Sequence, residues 1–397
     1  MARHLPSLPV EIIERIAFQS TLADLRSFRL VCQTLYQKTL YYFGHTYLKR
    51  LKTDLTDESL QRLQGISETD HFRHHVETLI VKQKSMGPDD YRIRFDNHQH
   101  QSRFLPAWLA EALPAFRLLV DILLHRLVNC RSFKLHGFPT MGRYAVPQRL
   151  QRSDAVELIL GMIAESGLPF KSFVLDCGSF DTPPVDMGWL RMARYRNPEF
   201  LNTWAHLEEL SLIQTLQSED FDWLLDLVKD ATGLRTLLLQ TVGFYSDSFI
   251  ERLSLTPQLA PVQELSLVMV DLKAVDASRL LLHFRDSLRV LSFLGVNLLS
   301  GTWAEVLQDV RANLPGLQSI NVVGLTRRTS ESVVFPTLLD DPVVPDSGGR
   351  RFSLPRRDYY KDKVPAGVSY DGPGFDAALE KLAKSVRLSR RLKAVPD

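Results

Sequence analysis

Cysteine is scarce in this chain: Cys32, Cys130 and Cys177 stand far apart among 397 residues. Three thiols at that spacing make neither a disulfide framework nor a zinc-ligand set, and a reducing compartment is the expected home. An excess of one charge is missing too, since 48 basic residues face 46 acidic ones for a net +2. That balance argues against nucleic acid or an anionic membrane as the main partner. No apolar run approaches the ~20 residues of a membrane span. The opening Met-Ala-Arg-His-Leu-Pro-Ser-Leu-Pro lacks a hydrophobic core of signal-peptide length. The expected location is therefore cytoplasmic or nuclear. Catalytic signatures are absent as well, with no G-x-x-x-x-G-K-[ST], no G-x-G-x-x-G after a strand, no G-x-S-x-G and no H-E-x-x-H. His71, His74 and His75 lie at helical spacing, with His98 and His100 near in sequence, but no Cys completes a ligand set and Asp70 is a poor substitute. The expectation is no metal, no cofactor and no active site.

What the chain does have is a short apolar line that returns five times. The lines are Leu207-x-x-Leu210-x-Leu212, Leu234-x-x-Leu237-x-Leu239, Val262-x-x-Leu265-x-Leu267, Leu288-x-x-Leu291-x-Phe293 and Leu317-x-x-Ile320-x-Val322. Their starts are 27, 28, 26 and 29 residues apart. Each line predicts a short strand with alternate side chains buried, followed by a helical stretch of 11 to 15 residues. One strand-plus-helix unit cannot cover both its faces, so neighbours must stack. Earlier lines at Cys130-x-x-Phe133-x-Leu135 and Phe170-x-x-Phe173-x-Leu175 are spaced more widely, with an insertion over 178–198. The pattern resembles a divergent leucine-rich repeat array, without the Asn or Cys that usually follows the third apolar position.

Strand alternation then assigns an inner face. One row is Lys134, Val174, Ser211, Leu238, Ser266, Ser292 and Asn321; another is Ser132, Ser172, Glu209, Thr236, Glu264, Val290 and Ser319. The third, His136, Asp176, Ile213, Gln240, Val268, Leu294 and Val323, is apolar towards its C-terminal end and is the candidate substrate face. The rival reading lays the C-terminal tail across it. Residues 326–373 read as irregular, and 374–391 as a helix with Phe375, Ala378, Leu379, Leu382 and Val386 on one face, suited to covering the last repeat.

The first 45 residues are crowded with large apolar groups. Pro9 suits the first turn of a helix and Glu11 its positive end, with Ile12, Ile13 and Ile16 following at helical spacing. Thr21 with Asp24 marks a second start, from which Leu25, Phe28, Cys32 and Leu35 step along one ridge. So small a segment cannot bury them all within itself. They pack on the rest of the chain or on another protein.

Here the residues are similar to a known family. Leu8-Pro9-x-Glu11-Ile12-Ile13-x-x-Ile16 and Asp24-Leu25-x-x-Phe28-Arg29-Leu30-Val31-Cys32 resemble an F-box, continued in the style of fungal F-box proteins to His75-Val76-x-x-Leu79-Ile80-Val81. The chain departs from the commoner pattern at Ala17-Phe18 and in having Leu35 and Tyr36 where a tryptophan often follows Cys32. The resemblance implies a receptor whose F-box docks on the Skp-type linker subunit of a cullin-RING ubiquitin ligase, while the repeats present a protein substrate. Leu8, Pro9, Ile12, Ile13, Ile16, Leu25, Phe28, Leu30 and Val31 would supply the docking surface. The expected architecture is α/β: an all-helical F-box over 1–50, a helical linker and first irregular repeat over 51–130, and a curved repeat solenoid over 131–325. The irregular tail and a capping helix over 374–391 complete it. An F-box scaffold acting outside ubiquitination is the alternative.

Overall fold

The computed structural model describes residues 5–54, 57–82, 114–136, 152–176, 196–215, 221–242, 246–328, 331–345, 347–354 and 365–390. It is a mixed α/β protein with a large, mainly parallel sheet. Two compact units divide it: Met1–Lys134 with Val146–Leu150 and Leu158–Leu168, and Leu135–Ala145 with Gln151–Glu157 and Pro169–Asp397.

The first unit begins with helices α1 (Val10–Gln19), α2 (Leu22–Val31), α3 (Gln33–Lys38) and α4 (Leu40–Phe43). Pro9 stands at the N-cap of α1, one residue before the expected first turn. Thr21 caps α2 as its sequence implies: its Oγ1 accepts the Asp24 N–H at 3.2 Å and donates to Asp24 Oδ2 at 2.6 Å. The expected ridge from Leu25 to Leu35 is broken. Cys32 is extended at φ −161° and ψ 161°, so α2 stops and α3 restarts around it. A π-type turn over Gly44–Leu48 then leads to strand β1 (Arg50–Thr53), which pairs in parallel with β2 (Thr78–Lys82). Between the strands lie α5 (Asp57–Glu68), carrying buried Leu60 and Leu63, and α6 (Asp70–Arg73). Pro114 opens α7 (Pro114–Asp121); residues 105–113 of the expected helical linker lie outside the described residues. The core gathers Ile13, Ala17, Leu25, Leu35, Leu63, Val76, Leu79 and Ile122. Strand β1 was not anticipated, because four residues at an element boundary carry too little alternation to read.

Strand β3 (Ser132–His136) and helix α8 (Arg152–Ser166) follow, then β4 (Ser172–Asp176). From β4 onward the second unit follows the repeated lines. Its strands β5 (Glu209–Thr215), β6 (Thr236–Val242), β7 (Glu264–Val268), β9 (Val290–Leu294) and β11 (Ser319–Val323) pair in parallel, side by side with β4. The apolar pattern fixes the register: Phe173 pairs Leu210, Leu237, Leu265, Leu291 and Ile320 in succession. A slip of one residue would turn every leucine to the opposite face, so burial selects this alignment. The helices α9 (Pro198–Trp204), α10 (Phe221–Asp230), α11 (Ser246–Leu255), α12 (Ala274–His283) and α13 (Trp303–Asn313) supply the other layer. Those after β5, β6 and β7 are 10 residues long, shorter than expected, while α13 after β9 reaches the expected minimum of 11. In the last three lines the difference goes into short second strands, β8 (Asp271–Lys273), β10 (Asn297–Ser300) and β12 (Thr326–Arg327). Across them Asn297 Nδ2 donates to Asp271 Oδ1 at 2.9 Å, and Thr326 Oγ1 donates to Asn297 Oδ1 at 3.1 Å. The turn before each has one residue at positive φ: Met269 (52°), Gly295 (67°) and Gly324 (66°).

The range 326–373 is not irregular throughout. It holds β12, β13 (Glu331–Val334), the short helix α14 (Thr337–Asp340) and β14 (Gly367–Asp371). β14 runs antiparallel to β11 and extends the sheet edge, pairing Asn321 with Ser369. Helix α15 (Phe375–Ser385) buries Ala378, Leu379 and Leu382 and packs against α13, where Arg311 bonds both Asp376 oxygens at 2.8 Å. The expected helix over 374–391 ends early, since β15 (Arg387–Arg390) joins β13 in the second sheet.

Candidate protein-docking surfaces

Helix α1 is apolar on two sides. Ile13 and Ala17, four residues apart, are buried, while Ile12 and Ile16, also four apart, are 45% and 36% exposed. Phe18 is 69% exposed. On α2 the same division recurs: Leu25 and Arg29 are buried, whereas Leu30 and Val31 are 85% and 70% exposed. The helix stops at Val31, so no further turn of α2 covers them. With Leu5 and Val10, seven of the sixteen exposed large apolar side chains of the described chain fall in its first 31 residues. Scattered exposed apolar groups are ordinary on a protein surface; this density is not.

The expected docking residues therefore separate. Pro9, Ile12, Ile16, Leu30 and Val31 are exposed; Leu8 and Phe28 are half-buried. Ile13 and Leu25 must be corrected: both are enclosed by their own unit and act as core. The reason is packing: Ile13 with Ala17, and Leu25 with Arg29, form the strips of α1 and α2 that the unit covers, and on α1 the exposed Ile12 and Ile16 lie directly beside that strip. Leu8 is held by its carbonyl, which accepts Lys38 Nζ at 2.5 Å, beside a 2.9 Å bond to the Pro6 carbonyl.

Arg29, in the sequence only one letter of a motif, organises this region. Its guanidinium lies 3.9 Å from the Phe43 ring centroid, 4.7 Å from Tyr36 and 5.7 Å from Phe72. Burial lowers its pKa, opposed by Tyr36. The available signal was its place four residues after core Leu25. Cys32 is half-buried at the helix break, not inside a continuous ridge. Cys130 is fully enclosed, and burial pushes its thiol up to about 12, which leaves it unreactive at neutral pH.

Around the neighbouring histidines, Tyr41 stacks on His45 and meets His75 edge-on. Burial, then His45 and His74, lowers the His75 pKa. Among the described residues no group of three or more His, Cys, Asp or Glu side chains could hold a metal ion. His98 and His100 lie outside those residues. No described helix is long and apolar enough to cross a membrane.

In the second unit the candidate row sits on one face of the sheet. His136 Nδ1 and Asp176 Oδ2 share a 2.5 Å hydrogen bond; Ile213, Gln240, Val268 and Leu294 are half-buried, and Val323 is buried. Beyond Val268, Met269 is exposed. The described part of the tail does not lie across this row: β14 adds to the sheet edge, and Ser353 bridges Ser369 beside it. An open hollow of ≈ 810 Å³ results, lined by Ser292, Leu294, Ser319, Asn321, Val323, Arg351, Ser353, Ser369, Tyr370 and Asp371. Of the insertion over 178–198, the residues up to 195 lie outside the described residues.

No family model matches the sequence, and no curated protein does. Among solved structures the chain is similar to one from the "Crystal structure of Rad7 and Elc1 complex in yeast". The identity is 14%, covering 79% of this chain and 86% of that one, with a TM-score of 0.30. That likeness is too loose to assign a function.

Proposed function

We propose that this chain is an F-box substrate receptor. Its N-terminal helices dock on a Skp-type linker subunit of a cullin-RING ubiquitin ligase, and its strand-and-helix repeats hold a protein for ubiquitin transfer. One observation carries the reading: motif residues Ile12, Ile16, Leu30 and Val31 stay exposed while Ile13 and Leu25, in the same helices, fill the core. Large apolar side chains at a helix surface reward a partner that covers them, and a few central anchors dominate such interfaces. The chain supplies binding and position; the chemistry of transfer belongs to other subunits.

Co-expression with a Skp-type linker, a cullin and a RING subunit tests this. Affinity capture of the wild-type chain is expected to recover all three. Capture of Ile16→Asp/Leu30→Asp is expected to recover none, because both positions are exposed and their charge disrupts docking without entering the core. A chain that folds yet captures no linker, or a double variant that captures it normally, refutes the proposal.

A further inference from the structure

The inner face of the second unit's sheet is charged in one sense only. Of the inward positions on β4, β5, β6, β7, β9, β11 and β14, four are acidic (Asp176, Glu209, Glu264 and Asp371) and none is basic. The whole chain, by contrast, is nearly balanced. Asp176 is engaged by His136, and Glu209 accepts the Ser172 hydroxyl at 2.7 Å. The exposed carboxylates of Glu264 and Asp371 have no partner among the described residues. Arg350 is the cation nearest Asp371, its Nη1 donating to the Asp371 carbonyl at 2.9 Å, so Glu209 and Glu264 carry most of the uncompensated charge. Arg235 and Arg289 each precede a strand by one residue, and the Arg289 guanidinium is tied to the Asp286 and Leu288 carbonyls. Arg351 lines the same hollow as Asp371, at the end of the row away from Glu209.

Glu209, Glu264 and Asp371 share one row, since Glu209 and Glu264 both pair Thr236 while Val290 and Ser319 connect Glu264 to Asp371. Four residues along each strand, about 13 Å away, Ile213, Val268 and Leu294 form the apolar flank. Between the flanks the side chains are mostly small: Ser211, Ser266, Ser292, Asn321 and Ser369, with Leu238 the exception. Small residues between two taller flanks make a trough, about the width of a helix. Its end is the hollow beside Ser292, Asn321 and Ser369.

We infer that this trough receives a basic amphipathic helix of a protein partner, with its cations towards Glu209, Glu264 and Asp371 and its apolar side towards Val268 and Leu294. Spacing selects a helix. Strands lie about 4.8 Å apart, so the carboxylates are about 10 and then about 14 Å apart across the sheet. At about 1.5 Å per residue these steps match cations about seven and then about ten residues apart, which fall on one side of a helix. An extended segment would need steps of about three and four residues, and the odd step turns the first cation to the face opposite the other two. The inference rests on the receptor reading for its role, naming the class of client, but not for its chemistry.

Two labelled peptides of about 20 residues, patterned identically as amphipathic helices with Leu/Lys or Leu/Glu, test it on the full chain by fluorescence anisotropy. The Lys peptide is expected to bind at least about tenfold tighter than the Glu peptide. E264K/D371K is expected to reverse that order, and S266W, which fills the trough, to weaken Lys-peptide binding by about tenfold with the charges intact. Equal binding of the two peptides, or Lys-peptide binding unmoved by both variants, overturns the inference. Linker capture by E264K/D371K should stay at the wild-type level. If capture fails in every chain while the peptides still discriminate, the receptor reading falls and the trough assignment stands.

Discussion

The Arg29 guanidinium sits 3.9 Å from the centre of the Phe43 ring, inside a cluster completed by Tyr36 and Phe72. Arg29 lies on α2, Tyr36 on α3, Phe43 on α4 and Phe72 on α6, so one cation ties four helices of the first unit. Leu30 and Val31 follow it directly. Their exposure is therefore a consequence of where Arg29 is anchored.

Replacing Arg29 with methionine keeps most of the packing stem but removes the cation. A partly desolvated cation–π contact contributes about 0.5–2 kcal/mol, and the unfolding free energy is expected to fall by about that amount. Denaturant titration of R29M against wild type measures it. No change in midpoint would mean the aromatic cluster stands without the charge.

Met269 holds a positive φ of 52° where the matching turns use Gly295 and Gly324. A side chain resists this left-handed region and glycine does not. M269G is expected to raise stability by about 1 kcal/mol, and G295A to lower it. At Gly295 an added Cβ would also approach Met269 Cγ at 3.3 Å. Thermal unfolding of the two single variants checks the opposite signs.

Helix α15 is held by burial more than by charge. Leu382→Ala, at a fully buried position, is expected to cost about 2–5 kcal/mol. The Arg311 pairs with Asp376 and Glu380 are solvent-screened, so R311A should leave stability nearly unchanged. Urea titration of both variants separates the contributions, and a larger loss from R311A would reverse this account.

His75 predicts a direction with pH. Its folded pKa lies below the ordinary value of 6.5, because burial and two neighbouring histidines oppose protonation. The unfolded chain then takes up the proton more readily, so His75 disfavours folding as pH falls below 6.5 and has no such effect above it. H75Q should lose less stability than wild type between neutral and mildly acidic pH. Parallel curves for the two chains would contradict the assignment.

The repeated lines were legible because burial imposes a period of two on each strand and stacking imposes a common register. Leu237, Leu265, Leu291 and Ile320 consequently lie side by side. The short strands from Asp271, Asn297 and Thr326 were not legible, since two to four residues hold no period. Nor could spacing distinguish Ile13 from Ile16. Both belong to the same apolar run, and only the packing of α1 decides which is enclosed. The break at Cys32 was hidden because Leu25, Phe28 and Leu35 keep helical spacing across it. In the tail, β14 has partners remote in sequence, so its local pattern carried little information.

The central claim is that the exposed side of α1 and α2, not their buried side, binds a linker subunit. Calorimetric titration of a purified Skp-type linker into the full chain tests it directly, with I16A/L30A as the surface variant and I13V as a mild core control. Anchor truncation commonly costs about 2–4 kcal/mol per site, so I16A/L30A is expected to weaken binding by at least about a hundredfold while I13V binds as wild type does. Wild-type affinity in I16A/L30A, or no measurable heat with the intact chain, would contradict the account.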